Sequence, residues 1–185
     1  MKYVKLKMSY ENSYSAKEDS YLLISSIILK KGESFLDIGT GSGIIALHAY
    51  YNSAKIVMGV DIDPKSIKEA YENSKSNKAK VIFAIADLLP CTKMAWDVVS
   101  FNPPYLPKDE LVDKSDKWCI GGNAGYEIIE KFLSQLQEFR FGRAYFIYSS
   151  RAVPSFSKFN LEFKVISNLP LEFETLYAVM AMKSH

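Results

Sequence analysis

Four short apolar runs constrain the fold more than any other feature of the chain. They are Phe35-Leu36-Asp37-Ile38, Lys55-Ile56-Val57-Met58-Gly59-Val60, Val81-Ile82-Phe83-Ala84-Ile85-Ala86 and Val98-Val99-Ser100-Phe101. Each is too short for a helix and is bounded by turn residues, so each reads as a strand, the fourth as a buried one. After the first, Ile44, Leu47, His48 and Tyr51 repeat at helical spacing. Strands alternating with helices predict an α/β fold with a mostly parallel sheet. In such a sheet ligands bind in the crevice beyond the carboxyl ends of the strands. Here those ends carry Gly39-Thr40-Gly41-Ser42-Gly43, Asp61, Asp87 and Asn102.

The fourth run leads into Asn102-Pro103-Pro104-Tyr105. As plain backbone chemistry this is a good turn. It also holds an amide side chain at a strand end beside two residues of fixed φ. An amide NH2 or a nucleobase amine is a poor nucleophile because its lone pair is delocalised. It becomes reactive when both hydrogens are accepted in hydrogen bonds while charge builds on the nitrogen. Asn102 offers one oxygen acceptor. The Pro103 carbonyl offers a second, Pro104 fixes the loop, and Tyr105 can stack on the planar group. The chemistry suggested is methylation of a planar nitrogen.

The upstream strand ends identify a donor for that chemistry. Glycines at 39, 41 and 43 let the backbone turn tightly and approach a ligand, with helix N–H groups facing it. Asp61, with Ile62 beside it, lies about 20 residues on and is placed for a ribose diol. Asp63 has another role, since with Pro64 it reads as a helix N-cap followed by proline at the first helical position. The same glycine turn fits a dinucleotide fingerprint. Asp37 separates the two cases. A carboxylate there would repel a pyrophosphate, and it suits the ammonium of a methionine moiety. S-adenosyl-L-methionine is therefore favoured over NAD. Asp87 can accept the adenine amino hydrogens, and the Leu88 N–H can meet a ring nitrogen.

The remaining features are plainer. With 185 residues, 48% of them hydrophobic, the chain suits one α/β domain with a real core. A net charge of +2 does not mark a nucleic-acid binder. Cys91 and Cys119 form no CxxC pair, and two histidines give no zinc set, so no metal site is expected. No run approaches the ~20 apolar residues that span a bilayer, and the chain reads as cytoplasmic. Residues 3–8 alternate Lys with apolar side chains and suggest a short strand or lid edge. Ser15 and Glu18 match a capping box opening a helix that Gly32 would stop. Tyr14, Glu18 and Asp19 are candidates to line the cofactor pocket. Beyond Tyr105 a charged loop runs from Pro107 to Lys117, then Gly121-Gly122-Asn123-Ala124-Gly125 and a helix with Ile129, Phe132, Leu133 and Leu136 inward. Ala144–Tyr148, Leu161–Ile166 and Leu171–Met182 read as the last strands. The whole predicts a seven-stranded, mostly parallel sheet with an antiparallel last strand and helices on both faces.

In order and spacing, Asp37-Ile38-Gly39-Thr40-Gly41-Ser42-Gly43, Asp61-Ile62-Asp63-Pro64, Ala86-Asp87-Leu88 and Asn102-Pro103-Pro104-Tyr105 resemble the HemK/PrmC family of class I (Rossmann-like) methyltransferases. Tyr14 to Leu23 resembles that family's N-terminal Tyr…Glu-Asp-Ser…Leu-Leu helix, and Trp118…Gly121-Gly122…Gly125…Ile128 its Gly-Gly segment. The resemblance implies methylation of the glutamine amide in the Gly-Gly-Gln motif of peptide-chain release factors, with S-adenosyl-L-homocysteine as product. It implies a single domain, residues 1–33 forming the N-terminal segment and helix and 34–185 the catalytic core. The short region before the first strand resembles the archaeal and eukaryotic branch, which pairs with a small zinc-binding activator protein. Ser15-Ala16-Lys17 stands where that branch often has Pro, a departure that touches the loop ahead of the helix. Carried across, Asp61 holds the ribose, Asp87 the adenine, and Asn102 with Pro103 the target amide, against which Tyr105 packs. Two rivals stay open here. One is an RNA or DNA exocyclic-amine methyltransferase, which presents the same planar NH2. The other is a non-catalytic cofactor-binding subunit.

Overall fold

The computed structural model describes residues 1–11, 13, 15–108 and 120–184. The four apolar runs are strands. They are β1 (Ser34–Ile38), β2 (Ile56–Asp61), β3 (Ile82–Ile85) and β4 (Trp96–Phe101), with helices α2 (Ile44–Tyr51) and α3 (Pro64–Ser76) in the first two crossovers. Helix α1 (Glu18–Ser26) precedes them. A two-residue strand β5 (Leu106–Pro107), strand β6 (Ile120–Gly122), helix α4 (Glu127–Glu138), and strands β7 (Phe141–Ser149), β8 (Leu161–Pro170) and β9 (Thr175–Lys183) follow. The main sheet has seven strands in the order β3-β2-β1-β4-β7-β9-β8. β1 to β4 and β7 pair in parallel, and β9 runs antiparallel to both β7 and β8. This is the predicted class I arrangement.

Both faces of the central strands are buried, which is why their sequences are continuously apolar. One core packs Leu23 and Ile24 of α1, Ile27 just beyond its end, and Ile45, Ala46 and Ala49 of α2 on Phe35, Val57, Val98, Tyr145 and Ile147. The other packs Ile129, Phe132, Leu133 and Leu136 of α4 on Leu36, Ile38, Val99, Phe101 and Phe146. The alternation of odd and even residues along β1 and β7 sends each side chain to its own layer. Asp63 is the N-cap expected for α3. Its Oδ1 accepts from the Lys65 N–H at 2.9 Å, with Pro64 at the first helical position.

Four local expectations are corrected. Residues 3–8 form no strand. The segment is extended, and Leu6 and Met8 do pack inward. Its backbone pairs with asparagine side chains instead of a neighbouring strand. Asn52, Asn77 and Asn73 each accept from the backbone N–H of Lys2, Lys7 and Ser9 respectively, and each donates back to the same residue's carbonyl. Second, the Ser15–Glu18 capping box is not formed, because α1 begins at Glu18 with Lys17 at its N-cap and no side-chain cap. Third, α1 ends at Ser26, so Gly32 (φ 87°) serves the turn into β1. Fourth, Leu106–Pro107 and Ile120–Gly122 form a small parallel sheet of their own. The stretch 109–119, with Trp118, Cys119 and most of the predicted charged loop, lies outside the described residues, as do Tyr14 and His185.

Candidate active site

The carboxyl ends of β1, β2, β3 and β4 open into one cavity of about 310 Å³. Gly39, Thr40 and Gly41 come from the turn after β1, and Asp61 and Ile62 from the end of β2. Asp87 and Leu88 follow β3, and Asn102, Pro103, Pro104 and Tyr105 follow β4. Asp19 of α1 closes the cavity from the other side. These twelve predicted residues, scattered over 87 positions of sequence, share one wall-to-wall space because the parallel topology puts every strand end on the same edge.

Asp61 is held by the backbone on both oxygens. The Gly41 N–H donates to Oδ2 and the Asp63 N–H to Oδ1, each at 2.9 Å. Burial nevertheless pushes its carboxyl above the usual range. Asp87 Oδ2 accepts from Lys131 Nζ of α4 at 2.5 Å. Both side chains are about half exposed, 55% and 52%, so the pair orients Asp87 more than it stabilises the fold.

Asn102 has the most distinctive environment. Its Nδ2 donates to Asp19 Oδ2 at 3.2 Å and to Ser20 Oγ at 3.3 Å. Its Oδ1 is buried and has no hydrogen-bond partner. A buried acceptor left unmade is costly, and in a cavity wall it is an acceptor waiting for a donor. Pro103 is buried beside it.

The loop that carries Asn102 is braced by the glycine segment. A Cβ added to Gly121 would stand 2.5 Å from the Pro104 carbonyl oxygen, and one on Gly125 2.5 Å from the Tyr105 carbonyl oxygen. The segment therefore lies directly on the backbone of the tetrapeptide, an approach only glycine permits. The Ala124 N–H donates to Glu127 Oε1 at 2.8 Å, tying the segment to the first turn of α4.

Three expected site residues fall elsewhere. Asp37 is fully buried beneath the cavity floor and is not among the lining residues. Its Oδ2 accepts from Thr40 Oγ1 and its Oδ1 from Ser100 Oγ, each at 2.7 Å. Burial pushes its carboxyl up to about 7, against the lowering effect of those hydroxyls. Gly43 is the N-cap of α2 at φ 83°, and its missing Cβ makes room for Ala70 of α3 rather than for a ligand. Glu18 is exposed at the start of α1. Conversely, Ser20, Ser66, Phe101, Ile128 and Lys131 line the cavity unforeseen. Ser20 was findable as the neighbour of Asp19. Lys131 carried no signal, because its helix reads only as core. His48 is buried and its Nδ1 lies 2.9 Å from the Ile44 carbonyl. Among the described residues no group of acidic, His or Cys side chains is placed to hold a metal ion, and no helix is long and apolar enough to cross a membrane.

The cavity can therefore hold a nucleoside with an amino-acid tail. It offers acceptors at Asp61 and Asp87, an apolar wall at Ile62 and Leu88, a glycine turn, and an unmet acceptor at Asn102. These residues fit S-adenosyl-L-methionine.

Comparison with known proteins agrees with that fit. The family model of the ribosomal protein L11 methyltransferase (PrmA) matches residues 20–103, from α1 to the start of the proline pair. An L11 methyltransferase of Burkholderia orbicola is 40% identical over 74 residues, which cover 40% of this chain and 24% of that protein. Among solved structures, the Encephalitozoon cuniculi Mtq2–Trm112 complex, described as responsible for methylation of the eRF1 translation termination factor, superposes with a TM-score of 0.73. The match is 24% identical and covers 93% of this chain and 99% of that one. The L11 methylase of Lactobacillus delbrueckii gives 0.65 at 20% identity, over 90% and 78% of the two chains. Both share the class I fold. A Methanocaldococcus jannaschii protein, provisionally named a protein N5-glutamine methyltransferase, is 37% identical over 139 residues, which cover 74% of this chain and 70% of that protein. That match is longer than the stretch the family model covers, and the chain belongs to the family of S-adenosylmethionine-dependent protein N5-glutamine methyltransferases.

Proposed function

We propose that this enzyme methylates the side-chain amide of the glutamine in the Gly-Gly-Gln motif of a peptide-chain release factor. The observation that carries the reading is the buried, unpartnered Asn102 Oδ1 at the end of β4. A glutamine NH2 brings two hydrogens, and the site supplies two acceptors, Asn102 Oδ1 and the Pro103 carbonyl. Accepting both hydrogens orients the face of the amide nitrogen towards the donor and favours the build-up of charge there as the methyl group transfers. S-adenosyl-L-methionine, when bound, supplies an electrophilic methyl group. Asn102 and Pro103 stabilise the positive charge that develops on the nitrogen, and their fixed placement means little reorganisation is needed. Tyr105 packs on the planar amide. Asp61 takes the ribose hydroxyls, Asp87 the adenine amino group and Leu88 the ring edge. Gly39, Thr40 and Gly41 meet the amino-acid tail. Asp37 acts on the donor's ammonium from below, through the turn it holds. One amide proton is lost to solvent after transfer, so no histidine base is required.

The protein's partners follow from the same reading. The substrate is the release factor, and a small zinc-binding activator is a second subunit. What supports a bound subunit is the sheet edge at β3, where Ile82 and Ile85 are 56% and 60% exposed on a strand that pairs with β2 on one side only. Such an edge is normally covered or charged. An enzyme serving translation factors works in the cytoplasm.

The test is methyl transfer from labelled S-adenosyl-L-methionine to a release factor bearing Gly-Gly-Gln, to its Gln→Ala variant and to bulk RNA, each with and without the activator. Label on the wild-type factor alone is the expected result. Label on RNA with none on the factor overturns it in favour of a nucleic-acid amine.

A further inference from the structure

We infer that Asp19 is a positioning residue that fixes which end of the Asn102 amide faces the substrate. This rests on the proposed role of Asn102 as acceptor. The two ends of an asparagine amide are nearly the same size, so packing alone does not choose between them. The choice is made by neighbours. Asp19 is buried, 4% exposed, and an ionised carboxylate only accepts. Its Oδ2 lies 3.2 Å from Asn102 Nδ2, and Ser20 Oγ is a second acceptor at 3.3 Å. Turned over, the amide would set its carbonyl oxygen against that carboxylate. The carboxylate is itself anchored, because its Oδ1 accepts from the Ser20 N–H at 2.5 Å. A charge-assisted bond of this kind favours one orientation by roughly 10- to 100-fold in population. The preferred one leaves Oδ1 without a partner, as observed.

Two consequences follow. Donation to a carboxylate polarises the Asn102 amide and makes Oδ1 a stronger acceptor. The buried negative charge also lies one residue behind the place where positive charge grows during transfer. Helix α1, which belongs to the N-terminal region and not to the parallel core, thereby completes the acceptor site. A chain with an intact Asn-Pro-Pro-Tyr but without this contact would hold a nucleoside and turn over poorly.

The experiment compares wild type, Asp19→Ala, Asp19→Asn and Asn102→Ala. The Asn102 side-chain NH2 is identified in the 15N spectrum of the substrate-free protein by its loss in Asn102→Ala. In wild type its hydrogens should exchange with water at least ~10-fold more slowly than those of an exposed asparagine, and Asp19→Ala should remove that protection. Turnover on the release factor should fall by about 30- to 100-fold in Asp19→Ala and by less than ~10-fold in Asp19→Asn, whose amide oxygen still accepts. Affinity for S-adenosyl-L-homocysteine should stay within ~3-fold in both. Should Asp19→Ala fail to fold, Asp19→Asn and the wild-type spectrum carry the test. An unprotected Asn102 NH2 in wild type overturns the proposal, as does equal loss of cofactor affinity in both variants, which would make Asp19 a cofactor ligand. The two readings separate cleanly. Wild type inactive on Gly-Gly-Gln removes the substrate assignment, while the spectrum still decides the orientation of Asn102.

Discussion

At the residue scale the site divides into side chains that face the cavity and side chains that hold them. Asn102 faces it, and Asn102→Ala should lower kcat by roughly 100- to 1000-fold while S-adenosyl-L-homocysteine binding changes by less than ~3-fold, measured by calorimetry and single-turnover transfer. Asp37 holds from below, and its raised carboxyl makes a pH signature. The folded protein binds that proton more tightly than the unfolded chain does, so its contribution is complete below about pH 4 and is lost as pH rises through about 7. The full span is at most about 4 kcal/mol. The Asp37→Asn variant should therefore show a flatter urea-melting profile between pH 5 and 8 than wild type. An ammonium bound above this carboxylate favours its ionised form. Cofactor affinity should accordingly weaken from pH 7.5 to 6 in wild type and much less in Asp37→Asn. A pH-independent affinity in wild type would remove Asp37 from the cofactor's reach. The acid at position 37 was legible as important from its place before the glycines. That it sits under the floor was not, because nothing in a strand's alternation says whether a polar residue meets ligand or hydroxyls from the next strand.

At the element scale, two pieces outside the seven-stranded sheet brace the walls of the cavity. The glycine segment lies against the Pro104 and Tyr105 carbonyls. Gly125, at φ 87°, combines that contact with a left-handed backbone. Gly125→Ala should cost about 1–3 kcal/mol in a denaturant melt and lower turnover at least ~10-fold, since the clash falls on the loop bearing Asn102. Cofactor affinity should change far less, because the glycine segment is not among the cavity-lining residues. The N-terminal segment is the second piece. Asn73 donates both to the Ser9 carbonyl and to the Ser42 carbonyl beside the glycine turn, each at 3.0 Å, and is buried. Asn73→Ala strands those carbonyls, so a loss of about 1–3 kcal/mol is expected. Asn52→Ala, at a more exposed pair, should cost less. The alternation of Val4, Leu6 and Met8 showed that the segment lies on a surface with one face inward. It did not show that asparagine side chains within α3 and just past the ends of α2 and α3 replace a partner strand, because an asparagine in or after a helix carries no local sign of such a pairing.

At the scale of the whole molecule, the sheet ends in β3, whose outer edge has no neighbouring strand and carries the exposed Ile82 and Ile85. Replacing Ile82 and Ile85 by Asp should abolish co-purification with a zinc-binding activator while leaving the isolated protein as soluble as wild type or more so. Retained binding would move the partner elsewhere. The sequence by itself determined the alternation of strand and helix, the parallel core, and the identity of the residues at each strand end. Those properties follow from local periodicity and from turn chemistry, which act over a few neighbouring residues. Tertiary structure alone decided the placements within the site. It put Asp19 against Asn102 across 83 positions of sequence, Lys131 against Asp87 across 44, and Asp37 out of the cavity under Thr40 and Ser100. Each of those contacts depends on the angle and distance between elements that are packed only when both hydrophobic layers close on the sheet, and no local pattern encodes that distance.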